Sequence, residues 1–179
     1  MARLETPNLI LRDFVRGDLD AYRALRDDPK FRRFYNEDDV AGDKPAFLLD
    51  MFIEQSRAEP RTKYQFAVTS KAGELMGSCG VRLEGEGQAS VGCELGRRWQ
   101  AAGYAFEAAA AVVDFGFRSL GAHRIYAETM AENKAAILLC KRLGMRVEAE
   151  FVENRYFQGR WWNTAVLAIL EHEWRARRA

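Results

Sequence analysis

The sequence predicts an α/β domain, a mixed sheet with helices packed on it, and three observations support this class. Alternating apolar residues, which are typical of strands, recur near the start, in the middle and at the end of the chain. Two long helical patterns alternate with strands in the second half. No repeat, low-complexity tract or linker interrupts the 179 residues, so residues 1–179 are expected to form a single domain.

The first elements are a strand and a helix. Leu9–Phe14 alternates and is predicted as a strand. Asp18 is expected to cap the following helix, which carries Leu19, Tyr22 and Leu25 on one apolar face.

Further strands and helices follow. A second helical pattern covers about residues 47–55. The alternating segments 64–68 and 75–83 are separated by Lys71-Ala72-Gly73, which indicates a hairpin. The remaining predicted elements are a strand at 91–95, a helix at 104–119, a strand at 124–128, a helix at 133–143 capped by Asn133, and a final strand pair at 145–151 and 165–169.

Composition excludes several functional classes. Formal net charge is +1, so no global field favours nucleic acid or a membrane surface. We expect no membrane span and no leader peptide. Three cysteines, Cys79, Cys93 and Cys140, fit a reduced cytoplasmic protein, and no pair has the spacing of a metal site. With two histidines only, a zinc centre or a histidine-based triad is disfavoured.

The segment 95–105, Leu-Gly-Arg-Arg-Trp-Gln-Ala-Ala-Gly-Tyr-Ala, joins a predicted strand to a predicted helix. Backbone N–H groups at a helix start have no partner within the helix, and the helix dipole adds partial positive charge there. Small side chains let an anion approach the backbone, so the segment is a candidate pyrophosphate cradle. The alternative is that Gly103 simply relieves a tight turn. Nucleotide hydrolysis and a Rossmann-type dinucleotide site are disfavoured, because neither glycine motif is present.

Four motifs carry a family resemblance. Gln100-x-x-Gly103-x-Ala105 resembles the Q-x-x-G-x-G/A pyrophosphate motif of the GNAT acetyltransferase superfamily. The segment 133–145 is similar to its N-x-x-A-I-x-L-Y-E-K-L-G-F segment. The opening 4–14 and Gly159-Arg160-Trp161 are similar to motifs of the ribosomal-protein N-terminal acetyltransferase (RimJ/RimL-like) branch. Together the motifs cover nearly the whole chain in the expected order.

The resemblance implies a single-domain GNAT-like fold, with a splayed, mostly antiparallel sheet and acetyl-CoA in the cleft between its halves. It also implies the cofactor-binding residues, which are Leu95, Gln100, Ala101, Ala102, Gly103, Tyr104, Ala105 and Asn133. Asn133 can alternatively be a plain N-cap. Many relatives have Gly where Ala101 stands and Arg or Lys where Ala102 stands, so this chain has no side-chain contact to phosphate at residue 102.

Acetyl transfer needs a base for the amine, a donor for the oxyanion and a proton for the departing thiolate. Glu94 is the carboxylate nearest the cradle in sequence and is the predicted general base, with a solvent-facing or ion-paired glutamate as the alternative. A backbone N–H near Leu95 is expected to meet the oxyanion. Many relatives place a tyrosine where Cys140 stands and a serine where Ala136 stands. Cys140 is therefore a catalytic candidate for the acid, with a small core filler as the alternative.

The expected function is acetyl-CoA-dependent N-acetylation of a primary amine, either a protein N-terminal α-amine or a small amine. The alternatives are an acyl-CoA-binding module with little turnover and a Rossmann-type nucleotide binder. No nucleic acid, membrane or metal partner is expected. The oligomeric state is left open, with a homodimer as one option.

Overall fold

Residues 2–178 are described by a computed structural model, with Lys30 described by its backbone alone. The strands are β1 (Arg3–Glu5), β2 (Leu9–Asp13), β3 (Lys63–Ser70), β4 (Leu75–Gly85), β5 (Gln88–Leu95), β6 (Arg124–Met130), β7 (Arg146–Phe157) and β8 (Arg160–Leu170). The helices are α1 (Leu19–Arg26), α2 (Pro29–Arg32), α3 (Glu37–Val40), α4 (Lys44–Ser56), α5 (Tyr104–Arg118), α6 (Lys134–Arg142) and α7 (Glu171–Ala176).

The strands form one sheet in the order β1-β2-β3-β4-β5-β6-β8-β7. Every neighbouring pair is antiparallel except β5 and β6, which are parallel. The β5–β6 pairing covers only residues 88–90 against 124–126. Beyond it the two strands separate, although β5 continues to Leu95 and β6 to Met130. The predicted mixed, splayed sheet is confirmed.

Helices cover both faces of this sheet. On one face, α5 and α6 enclose the larger core, which includes Val112, Val113 and Ile125. On the other face, α1 and α4 enclose a second cluster around Tyr22 and Phe52. Within residues 2–178, no helix combines the length and the apolar character needed to cross a membrane.

The long predicted elements are present, and one local prediction is wrong. Asp18 makes no capping bond to the first turn of α1. Its carboxylate instead accepts two bonds of 2.8 Å from the Arg12 guanidinium and one of 2.9 Å from the Val15 N–H. A bidentate pair with arginine joins two opposite charges through two hydrogen bonds, whereas a cap offers bonds to neutral N–H groups only, so the side chain turns back to β2.

Candidate active site

The candidate site is a cleft of about 420 Å³ that opens where β5 and β6 separate. Its walls come from α1, α4, β4, β5, β6 and α6. Glu94 and Cys93 lie on the β5 side, and Asn133 and Cys140 lie on the α6 side. Two predicted catalytic residues and one predicted cofactor-binding residue therefore line the same cleft.

The end of β5 offers backbone groups to this cleft. Gly96 N–H donates to Met76 O at 2.8 Å, next to the Leu95–Gly77 pair. This bond makes Leu95 and Gly77 a non-hydrogen-bonded pair of the antiparallel ladder. In such a pair each residue directs its own N–H and C=O groups away from the partner strand. The Leu95 N–H therefore faces away from β4, on the side that β6 has left. This is the geometry expected of an oxyanion donor.

The loop between β5 and α5 forms the candidate pyrophosphate cradle. Gly103 precedes α5 in the left-handed region, with φ of +86°, and a side chain added there would meet no atom within 4 Å. The first bond of the helix runs from Glu107 N–H to Gly103 O at 3.1 Å. Within residues 2–178, the N–H groups of residues 101–106 have no protein acceptor. These donors lie together at a helix N-terminus, where an anion is stabilised.

Side chains around the cradle hold the loop and add charge. The Gln100 side-chain amide donates to Leu95 O at 3.0 Å and ties the loop to the end of β5. Arg98 is paired with Glu74, whereas exposed Arg97 has no carboxylate partner among the described residues. Arg142, which the sequence did not single out, lies over the Phe106 ring in the first turns of α5. Arg97 and Arg142 are therefore two cations close to this loop in sequence or in space that have no carboxylate partner among the described residues.

Asn133 begins α6 and also lines the cleft. Its side-chain oxygen accepts from Ala136 N–H at 3.2 Å, so the predicted N-cap is present. Its amide nitrogen has no partner in the part of the chain that the structure describes. Capping and contact with a bound molecule are thus compatible in one side chain.

Glu94 lies at the centre of a hydrogen-bond network. Oε1 accepts from Ser78 Oγ at 2.8 Å and from Tyr22 Oη at 3.3 Å. Oε2 accepts from Tyr35 Oη at 3.0 Å. Burial and the adjacent Glu94 charge raise the pKa of Tyr22 and of Tyr35 well above the usual tyrosine range. Both hydroxyls therefore remain protonated donors at physiological pH.

Arg26 completes this network from α1. Its side chain is only 7% exposed, and Nη1 lies 3.7 Å from Glu94 Oε2. The guanidinium also lies 5.1–5.7 Å from the ring centroids of Phe31, Tyr35 and Tyr22. A carboxylate has about four acceptor positions, and three hydroxyls with one guanidinium now approach Glu94. These partners hold the Glu94 carboxylate in one orientation at the cleft wall.

Cys140 is buried on α6, at the cleft wall opposite β5. Burial, with a smaller contribution from Cys93, raises the pKa of its thiol to about 11. An ordinary thiol has a pKa of about 8.5. Proton transfer from Cys140 to a departing thiolate is therefore uphill, which makes Cys140 a weak acid in this position.

Sequence reasoning missed most of the partners of Glu94. The pattern assigned Tyr22 to the apolar face of α1, and it is indeed 1% exposed, yet its hydroxyl reaches the site. Ser78 is paired with Glu94 across β4 and β5, so the strand register alone could have identified it. Arg26 and Tyr35 come from segments distant in the sequence, so their contacts with Glu94 arise only in the folded protein.

Residues 95–105, Asn133 and the cleft together suit acetyl-CoA. The cradle supplies unpaired N–H groups for a pyrophosphate, and Leu95 joins the cradle loop to Glu94, which lines the cleft. A thioester carbonyl at the β5 end would lie within reach of both the Leu95 N–H and the Glu94 network. The donor set, made of backbone amides and hydroxyls, matches acyl transfer better than metal chemistry.

Comparisons with known proteins identify the relatives of this chain. Residues 8–146 match the family described as "Acetyltransferase (GNAT) domain". Over 176 residues, the chain is 26% identical to "Uncharacterized N-acetyltransferase p20" of Bacillus licheniformis, which covers 97% of this chain and 99% of that protein. It is 31% identical over 84 residues to the [Ribosomal protein uS5]-alanine N-acetyltransferase of Escherichia coli (strain K12), with 47% and 43% covered.

A solved structure shares the whole architecture. The spermidine N-acetyltransferase from Vibrio cholerae in complex with CoA and spermine superposes with a TM-score of 0.80 at 22% identity. The match covers 94% of this chain and 99% of that one. Because the family match spans more than half of the sequence and the fold agrees, the chain belongs to the GNAT acetyltransferase family, whose cosubstrate is acetyl-CoA.

Proposed function

We propose that the protein transfers the acetyl group of acetyl-CoA to a primary amine by direct attack, with both substrates held in the β5–β6 cleft. The observation that carries the proposal is that three features follow one another along the chain, from the cleft wall at residue 94 to the start of α5. These are the cradle of free N–H groups at residues 101–106, the outward Leu95 N–H, and the Glu94 network. Holding both substrates together supplies much of the acceleration of such a reaction.

Three residues divide the chemistry. The Leu95 N–H stabilises the oxyanion that forms when the amine attacks the thioester carbonyl. Glu94 accepts the proton that the amine releases, either directly or through water. Cys140 is the sequence-predicted candidate for the acid, but the raised pKa of its thiol favours departure of the thiolate without its help.

The amine acceptor is a protein N-terminal α-amine or a small amine. An α-amine, with a pKa near 7.8, is roughly one-tenth neutral at pH 7, whereas a lysine-like amine is neutral at a few parts in ten thousand. A carboxylate base whose hydrogen-bond acceptor positions are largely occupied suits an α-amine better than a lysine-like amine. The motifs at residues 4–14 and 159–161 and the partial likeness to the uS5-alanine enzyme support the RimJ/RimL-like branch.

A second candidate function is an acyl-CoA-binding module with little turnover. Two observations favour it: Ala136 and Cys140 stand where the resemblance places serine and tyrosine donors, and the Glu94 carboxylate already accepts three hydrogen bonds. Such a protein would bind acetyl-CoA and leave its thioester intact in the presence of every amine.

A thiol-release assay with acetyl-CoA and a panel of amines separates the two functions. The panel contains peptides with free α-amines, spermidine and simple alkylamines, and calorimetry measures CoA affinity in parallel. The proposal expects release of CoA that depends on one class of amine. Tight CoA binding without acetylation of any amine would establish the binding module instead.

A further inference from the structure

The carboxylates and the cations of the cleft differ in how they are paired. Glu94 lies beside buried Arg26, and Glu128 is paired with Arg155 at 2.9 Å. Two of the three carboxylates that line the cleft are therefore already compensated by arginines. The third, Asp39, lies next to Arg26, whose Nη2 donates to the Asp39 main-chain oxygen at 3.1 Å.

Two cations of the same cleft have no carboxylate partner. Half-buried Arg82 donates one hydrogen bond, to Gln65 Oε1 at 3.1 Å, and forms no ion pair within residues 2–178. Lys44 lies over the Phe47 ring and likewise has no carboxylate within reach in the described chain. A half-buried guanidinium with a single neutral acceptor is incompletely satisfied, because arginine carries five donors.

Arg82 lies on the same face of β4 as the residue that contacts Glu94. Ser78 and Arg82 are four residues apart, so they share one side of the strand at a separation of roughly 13 Å. Gln65 bridges them, since its Nε2 donates to Ser78 Oγ at 3.0 Å while its Oε1 accepts from Arg82. The polar wall of the cleft therefore runs from an anion at Glu94 to a cation at Arg82.

We propose that the acceptor carries an anionic group, a carboxylate or a phosphate, which Arg82 binds while the amine lies near Glu94. This inference rests on the proposed function and names its substrate class. Arginine pairs with carboxylates and phosphates through two parallel hydrogen bonds. The site therefore selects an acceptor both by the charge of its anionic group and by the distance of that group from the amine. A polycationic amine fits this wall poorly, since Arg26 already neutralises Glu94.

A matched series of acceptors tests the length and the charge together. Straight-chain ω-amino carboxylates with four to eight carbons are compared with n-alkylamines of the same length, and aminoalkyl phosphates form a third series. We expect kcat/KM of one anionic series to exceed that of the neutral amine by about tenfold or more at a preferred length. The better of the two anionic series identifies the group that Arg82 binds.

Two variants locate the effect. Arg82→Gln is expected to raise KM for the preferred anionic amine by about 10- to 100-fold more than KM for the neutral amine of the same length. Arg118→Gln removes the same charge from an exposed side chain at the end of α5, outside the cleft, and should preserve the preference. Wild-type CoA affinity of both variants, measured by calorimetry, shows that they are folded.

The proposal is overturned if matched anionic and neutral amines react equally at every length, if spermidine is the best acceptor, or if the preference survives in Arg82→Gln. The proposed function itself fails differently, because then no series is acetylated even though CoA binds.

Discussion

The surroundings of Glu94 decide what this carboxylate can do. Three hydroxyls and Arg26 hold it in one orientation, with Ser78 and Tyr22 on one oxygen and Tyr35 and Arg26 on the other. A carboxylate that accepts three hydrogen bonds keeps a fixed position in the cleft, and Arg26 adds an ion pair at 3.7 Å. Glu94 is therefore oriented to act as a base directly or through water.

Glu94→Gln is expected to lower kcat by about 10²-fold near pH 7, in the usual range for loss of a general base. The loss should shrink as pH approaches the pKa of the acceptor amine, because more of the amine is then already neutral. The measurement is a pH–rate profile of thiol release. Glu128→Gln, which changes the other well-paired carboxylate of the cleft, serves as the control and should keep the wild-type profile. Identical profiles for Glu94→Gln and the wild type would remove Glu94 from the mechanism.

Cys140→Ala is expected to change kcat by less than about threefold. The pKa of about 11 keeps the Cys140 thiol protonated at neutral pH and makes it a weaker acid than the thiol it would have to protonate. For the same reason, Cys140 should contribute no ionisation to the activity between pH 6 and 9. A fall of 10²-fold or more in Cys140→Ala, with CoA affinity unchanged, would show that the thiol is the acid after all.

At the scale of elements, the candidate site depends on how α5 and α6 begin. Gly103 takes the left-handed conformation that starts α5, and Asn133 caps α6 with its side chain. Each start is both a structural feature and a part of the cleft or cradle. The same substitution made at a similar position elsewhere in the chain distinguishes the structural role from the binding role.

Gly103→Ala should destabilise the fold by about 1–2 kcal/mol, because a φ of +86° is unfavourable for a residue with a side chain. It should also weaken CoA binding, since relaxing the strain changes the direction of the N–H groups at residues 101–106. Gly121→Ala is the control, because Gly121 follows the other end of α5 with φ of +70° and equally open space. Denaturation and calorimetry should show similar stability losses but a weaker affinity only in Gly103→Ala. Equal affinities in both variants would argue against the cradle.

Asn133→Ala removes a cap and is expected to cost about 1 kcal/mol of stability. The same change at Asn36 removes the cap of α3, where the side chain accepts from Asp39 N–H at 2.7 Å. If Asn133 also contacts the cosubstrate, KM for acetyl-CoA should rise severalfold in Asn133→Ala and stay constant in Asn36→Ala. Parallel behaviour of the two variants would leave Asn133 as a cap alone.

The sequence predicted long periodic elements better than short ones. Helices α4, α5 and α6 and strands β3 to β6 follow the hydrophobic pattern, because one face of each packs on a core. Four-residue helices such as α2 and α3 have too few turns to show a period, and they were not predicted. The cap at Asp18 failed because Arg12, six residues away, competes for the carboxylate.

For the molecule as a whole, the sequence predicts only that part of the candidate site whose residues are close together along the chain. The cradle and the adjacent Glu94 lie within residues 94–105, so their neighbourhood follows from chain order. The donors on Glu94 do not, because Tyr22 and Tyr35 are 72 and 59 residues away in the chain and meet it only when α1 and residue 35 pack over the sheet. The charge balance of the cleft likewise exists only in the folded protein.

A crystal structure with CoA bound tests the central claim, acetyl transfer in the β5–β6 cleft, most directly. We expect the pyrophosphate on the N–H groups of residues 101–106 and the thiol between the end of β5 and Asn133. The CoA thiol should also lie on the side of Cys93 that is nearer to the Glu94 carboxylate. A pyrophosphate bound elsewhere, or a thiol directed out of the cleft and away from Leu95, would contradict the claim.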